Sequence, residues 1–434
     1  MIRENMTKAL CLGVLAGVMV PNAEGGDNRA LLDKLVEKGI ITQEEADDLL
    51  KESQNEFAGK NAMSTALGGI TLKGDLRLRY DHTKDSDSEG SATNDRWRYR
   101  FRFGGEAQMK NGFKTGFRFA TGGNDASSDI GSTNQTMDKG FGRDDFGVDQ
   151  AYVSWNSESA DLSPGKEWSM DEGFTIFGGK NPNWSKRGWN VSKAFFDSDI
   201  TPEGFETHYA TEGTLPLGLH FGAYFINGEN SGASEDIVNM YMAQVTSAIS
   251  FNETTKLDVG LGMYSVDDEA LSGSGHGKIG KEARVGNSSG IGYSPLFLDG
   301  KLGLKGIGNG VSLYTTYFNN QESQASKDTG YVAGIKYGSA KKAGTWEAKI
   351  EHRSIEADAA WEGLMHSDFG AFGAAGGSAT GFGSGTNVEG YIVQGKYNLY
   401  ENVQFALTWL HTESEDGTDG DDNNRFQADI IFKF

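Results

Sequence analysis

The last eleven residues, 424–434, alternate. Phe426, Ala428, Ile430, Phe432 and Phe434 are apolar, Arg425, Gln427, Asp429 and Lys433 point the other way, and Ile431 is the exception. A period of two is a strand with one oily face and one wet face. At a rise of about 3.3 Å per residue, such a strand, tilted, reaches across the ~25 Å apolar band of a bacterial outer membrane.

The same period runs back to Gly69. In a first predicted strand Ile70, Leu72, Leu76, Leu78 and Tyr80 oppose Thr71, Lys73, Asp75, Arg77 and Arg79; in a second, Trp97, Tyr99, Phe101 and Phe103 alternate with Arg96, Arg98, Arg100 and Arg102. A turn at 110–112 leads into Phe113, Phe117 and Phe119. Further strands are predicted near 146–156, 173–180, 203–212, 217–227, 237–250, 254–265, 310–319, 328–338, 344–353, 387–398 and 402–412, which with the last makes fifteen. A single-chain bacterial barrel carries an even number. Connections at 110–112, 213–216, 251–253, 339–343 and 399–401 are short, and those at 123–145, 181–202, 266–290, 355–386 and 413–423 are long. The alternation fails only between 266 and 309, which places a weak strand within 291–305 despite Pro295. The expected fold is all-β, an antiparallel transmembrane barrel over 65–434 with about sixteen strands, within a range of about fourteen to eighteen. Short turns then face the periplasm and long loops the exterior. A soluble sandwich rarely sets four arginines on one strand face, and no fixed repeat supports a solenoid.

Composition agrees where it can decide. A hydrophobic content of 37% and a mean hydropathy of -0.50 exclude a bundle of membrane helices but allow a barrel, in which only alternate residues meet lipid. Residues 1–25, with Arg3 and Lys8 before an apolar run and a small-residue exit, read as a secretory signal peptide. Its removal takes away the only cysteine, Cys11, and leaves the net charge at -21, because Arg3 and Lys8 leave with Glu4 and Glu24. This acidity argues against nucleic acid as a partner. Residues 26–64 hold a short N-terminal helical hairpin and a linker in the periplasm: Leu31, Leu32, Leu35 and Val36 form a stripe, Gly39 ends it, and Thr42 with Glu45 caps a second helix.

The aromatic carboxy-terminus on a closing strand resembles bacterial outer-membrane barrels, in which the terminal Phe belongs to the assembly signal. Residues 149–155 and the stretch from Gly178 to Phe205 resemble the matching region of bacterial porins, including the phosphate-selective type. The resemblance implies a loop at 181–202 folded into the lumen. Its candidate charges, with the flanking residues, are Lys180, Lys186, Arg187, Lys193, Asp197, Asp199 and Glu203. A basic wall would face it, formed by Arg77, Arg79, Arg96, Arg98, Arg100, Arg102 and Arg118. Seven guanidinium groups repel one another, so neighbouring carboxylates or a passing anion must offset the cost. Asp75, Glu106 and acidic loop residues are the candidate partners, and pairing does not exclude anion passage.

Other motifs carry less. Gly275 to Lys281 has phosphate-loop spacing, but Glu282 stands where a magnesium-binding hydroxyl belongs. The acidic tract from Glu413 to Asp422 misses the calcium-loop pattern and suits a solvated loop bridged to lipopolysaccharide by divalent ions. Seven histidines lack metal-ligand spacing, and no Ser-His pair marks a lipase. No catalytic residue, metal or cofactor is expected. The expected function is passive diffusion of small hydrophilic solutes and ions across a bacterial outer membrane, with an anion or phosphate-like preference and homotrimeric assembly. The alternative is a plugged barrel anchored to the cell wall through its N-terminal helices.

Overall fold

The computed structural model describes residues 70–434 apart from 88–89, 110–111, 123–131, 158–172, 212, 214, 228–237, 267–290, 323, 371–384 and 416–421. The signal peptide and helical segment expected over 1–64 lie outside the described residues, as do the phosphate-loop spacing and most of the acidic tract. The strands, in chain order, are β1 (Ile70–Asp87), β2 (Gly90–Gln108), β3 (Phe113–Thr121), β4 (Gln135–Thr136), β5 (Phe146–Asn156), β6 (Gly173–Lys180), β7 (Glu203–Ala210), β8 (Leu217–Asn227), β9 (Val238–Ser250), β10 (Thr255–Val266), β11 (Pro295–Leu304), β12 (Val311–Asn320), β13 (Thr329–Gly338), β14 (Trp346–Ile355), β15 (Val388–Tyr400), β16 (Val403–Ser414) and β17 (Asp422–Lys433).

Each long strand pairs antiparallel with its sequence neighbours, and β17 returns to β1 from Asp75↔Lys433 to Ser86↔Asp422. The sheet is thus a closed barrel. The two-residue β4 is no part of the wall. It lies on β2, Arg98 opposite Thr136, and leaves sixteen wall strands. The weak strand is β11, and Pro295 takes its first position, where a missing N–H breaks little of the ladder.

Closure puts Phe434 against β1. Its amide donates to the Gly74 carbonyl at 3.1 Å and its carbonyl accepts from Gly74 N–H at 2.8 Å. A side chain at Gly74 would run into the Phe434 ring, 2.6 Å from where its Cβ would lie. Two forked ion pairs clamp the same seam. Arg79 donates to both oxygens of Asp429 at 2.7 and 2.9 Å, and Arg425 to both of Asp81 at 2.7 Å.

The apolar residues of the alternation point outward: Leu72, Trp97, Phe117, Leu219, Leu298, Ile350 and Leu407 are all exposed. Such a surface suits lipid rather than water. Trp155 and Trp346 stand near the short-turn end, and Trp97 and Trp409 lie farther toward the long-loop end.

The lumen is not polar throughout. Met240, Met242, Tyr264, Phe297, Phe318, Val332 and Ile355, on β9 to β14, are buried facing inward and are covered by Trp184, Phe195, Phe196 and Ile200 of 181–202 and by Trp361, Leu364 and Met365 of the β14–β15 connection. At about 1.5–3 kcal/mol for each buried large apolar side chain, the fourteen together amount to roughly 20–40 kcal/mol of transfer free energy, an upper bound given residual burial in the unfolded chain. The loop is a fixed part of the barrel.

Candidate functional site

Because β1 and β2 send odd and even residues inward respectively, their basic residues gather on one side of the lumen. Carboxylates meet most of them. Arg100 and Arg102 bind Asp75 at 2.9 and 2.8 Å, Arg96 binds Asp81 at 2.8 Å, and Arg118 pairs with Asp149. Arg98 stands 4.0 Å from Asp81 and donates to the Asn134 carbonyl at 3.3 Å. Arg79 belongs to the seam clamp. Arg77 differs from the rest: it donates to the side chain of Asn134, and no carboxylate among the described residues pairs with it. Glu106 takes Lys73 and Lys114, at 2.6 and 3.1 Å, instead of an arginine.

Residues 181–202 fold into the lumen. Asn183 caps a 3-10 turn at Trp184–Lys186 by accepting from Ser185 N–H, and donates to the carbonyls of Asp197 and Ile200 at 2.8 and 2.9 Å, tying the loop's two arms together. Asp199 reaches the arginines, 3.6 Å from Arg100 and 3.5 Å from Arg102. Those two cations hold its carboxyl at about 2 despite burial. Asp197 is buried and accepts from Ser367 N–H at 2.8 Å, while its own amide donates to the Leu364 carbonyl at 2.9 Å, joining the two inserted loops. Burial, then the neighbouring Asp199, pushes its carboxyl up to about 7. Lys186 reaches lumen water, yet its enclosure by the barrel, with Arg118 and Arg102 nearby, lowers it to about 8.

Other loop charges lie elsewhere. Arg187 is buried, pairs with Glu206 on β7 and lies over the Phe177 ring at 5.4 Å. Glu206 also accepts from Trp189 Nε1 at 3.1 Å and Tyr224 OH at 2.9 Å, so this cluster anchors the loop. The next links, His208 to His220 at 2.7 Å and His220 to Thr246 at 2.9 Å, bring together histidines that are scattered in sequence. Lys180 and Glu203, expected at the constriction, face outward instead: they sit opposite each other on β6 and β7, bound at 2.8 Å, on the face that carries Ile176 and Phe205. Strand parity at the loop's two ends decides this.

Between wall and loop lies a cavity of about 420 Å³. Its lining includes Arg77, Arg79, Arg100 and Lys193 and also Lys349, Arg353 and Lys396 of β14 and β15, which sequence reasoning did not single out. Five carboxylates, Asp197, Asp199, Glu351, Asp368 and Asp429, face these seven cations, an excess of two positive charges among the described lining residues. Ile431, the exception to the terminal alternation, lines it too. Asp368, also unforeseen, takes Arg79 at 3.2 Å and Arg425 at 3.1 Å, which hold its carboxyl well below the usual range. The i,i+2 spacing of Lys349, Glu351 and Arg353 was the available signal for the second basic strand. Among the described residues no group of three or more His, Cys, Asp or Glu side chains is disposed to hold a metal.

A closed barrel, oily outside and charged within, with a loop folded into its lumen, has the architecture of a porin-type channel. The model of the family described as "Putative porin" matches residues 83–270 and 304–434, most of the chain, which therefore belongs to that family. Family and fold are those of channel proteins of the bacterial outer membrane. Among solved structures the chain is similar to OprB of Pseudomonas putida, at 10% identity and a TM-score of 0.52 over 87% of this chain and 97% of that one. It is also similar to Salmonella typhi OmpF in complex with daunomycin (11% identity, TM-score 0.46, 84% and 97% covered) and to a variant of Rh. blastica porin (11%, 0.41, 84% and 100%). At 10% identity the likeness to OprB concerns the fold alone. No curated protein sequence matches the chain.

Proposed function

We propose that small hydrophilic solutes and ions diffuse through this barrel along the side lined by β14 to β17 and β1 to β3, past the 181–202 loop, with a preference for anions. The observation that carries the reading is the charge of the central cavity, where Arg77 and Lys193 have no carboxylate partner among the described residues. In a narrow aqueous site such cations are poorly screened and set the field that a passing ion meets. The acidity of the whole chain does not oppose this, since charges at a constriction dominate conduction. Replacing Arg77 and Lys193 together by Ala should move the reversal potential in a salt gradient toward cations at unchanged fold. An unmoved potential would remove the cavity from ion selection.

The apolar packing of both inserted loops on β9 to β14 favours one second reading, an occluded barrel that serves as an anchor. An electrical measurement separates the two, because only the open barrel conducts. The assignment of 1–25 to export, of 26–64 to a periplasmic segment that touches the cell wall, of the outer loops to lipopolysaccharide, and of three copies to the assembly belongs to the same proposal. It is supported by the residue patterns described above.

A further inference from the structure

A second cavity, of about 590 Å³, lies at the short-turn side of the loop, lined by Trp189, Asn190 and Lys193 of the loop, by Thr246 and Ser247 of β9, and by Lys256, Asp258 and Lys301 on the inward faces of β10 and β11. Lys193 lines both cavities. Its backbone is left-handed, at φ 60°, a conformation rare for a side chain of this size, and it holds the exposed lysine where the two spaces adjoin. Lys256 binds Asp258 at 3.0 Å, and Lys301 stands across the ladder from the same Asp258. One carboxylate thus faces three lysines. Neither Lys193 nor Lys301 has an ion-pair partner among the described residues.

From this geometry we infer that the cavity beneath the loop is a binding site for a compact dianion such as a phosphate monoester. Two uncompensated ammonium groups match two negative charges. Its volume falls within the range of small-molecule sites and leaves room for a short polar body beside the anionic head. Lysine suits the role, since an ammonium on a flexible stem binds phosphate as a point charge. The pattern continues around the same end of the barrel, where Glu106 is shared by Lys73 and Lys114, and Glu347 by Lys336 and Lys396 at 3.3 and 3.4 Å. The group at Glu347 keeps one positive charge in excess, so the mouth gathers anions and the cavity retains them.

The inference shares the anion reading of the channel, and its test does not depend on current. Glycerol 3-phosphate is titrated calorimetrically into the detergent-purified full chain, with glycerol as the neutral control. Saturable binding of one glycerol 3-phosphate per chain, weakened about tenfold by Lys301→Gln or Lys193→Gln and unchanged by Lys342→Gln, an exposed lysine that lines neither cavity, is the expected result. Lys193 and Lys301 have accessible side chains, and retention of the folded, heat-modifiable band on gels shows that each variant still forms the barrel. Binding that survives Lys301→Gln but is lost in Arg77→Ala overturns the assignment, as does the absence of saturable binding. Binding with the expected variant pattern in a protein that passes no ions leaves the site standing and removes the channel reading alone.

Discussion

At the scale of single residues, Asp197 couples pH to the cavity. Its carboxyl, at about 7, takes its proton in the physiological range, whereas Asp199, held at about 2 by Arg100 and Arg102, stays charged. The sign follows. A carboxyl raised in the folded protein is neutral below about pH 7, so the cavity is then more positive, and ionisation as pH rises adds a negative charge there while weakening the seat of the loop. Anion preference should therefore be stronger at about pH 5.5 than at about pH 8.5, and Asp197→Asn should reduce that difference to the share that Lys186, at about 8, contributes in the same direction. Reversal potentials in one salt gradient at both pH values check it; a difference undiminished in the variant assigns the effect to groups other than Asp197. The wall arginines were legible from alternation, as was Asp75 as a partner, two residues from Arg77 on the same face. The special position of Arg77 was not, because its acceptor Asn134 reaches the wall from the connection after β3, far along the chain.

At the scale of elements, the 181–202 loop is held by a buried ion pair on one side and by oil on the other. Glu206→Ala would leave Arg187 buried without its partner, a change that costs about 3–5 kcal/mol in comparable buried pairs. Because the hydrophobic contacts remain, the expected outcome is a folded barrel with a loosened loop. It should show noisier single-channel current and faster proteolysis within 181–202, while steady current equal to the wild type's would show that the apolar packing alone suffices. That packing could have been read from the sequence. β9 carries Tyr241 and Val245 on its outer face and Met240 and Met242 on its inner one, and β11 likewise sets Leu298 against Phe297. Strands apolar on both faces are buried on both faces. An inward oily face in a barrel of this size therefore needs a cover, and the aromatic residues Trp184, Trp189, Phe195 and Phe196 supply it.

For the whole molecule, the strand order was legible because a period of two repeats along nearly the entire chain and turn length alternates with it. Counting parity located β11 where local propensity was weak. The contacts that close the lumen were not legible, since Asp197 with Ser367 and Asp368 with Arg425 join segments far apart in sequence. The proposed channel conducts beside its inserted loops and favours anions. Its most direct test is single-channel recording of the refolded protein in a planar bilayer under a salt gradient. Stable, stepwise conductance with a reversal potential on the anion side is the expected result. A protein verified as folded that yields no conductance, or a stable channel that reverses on the cation side, would contradict it.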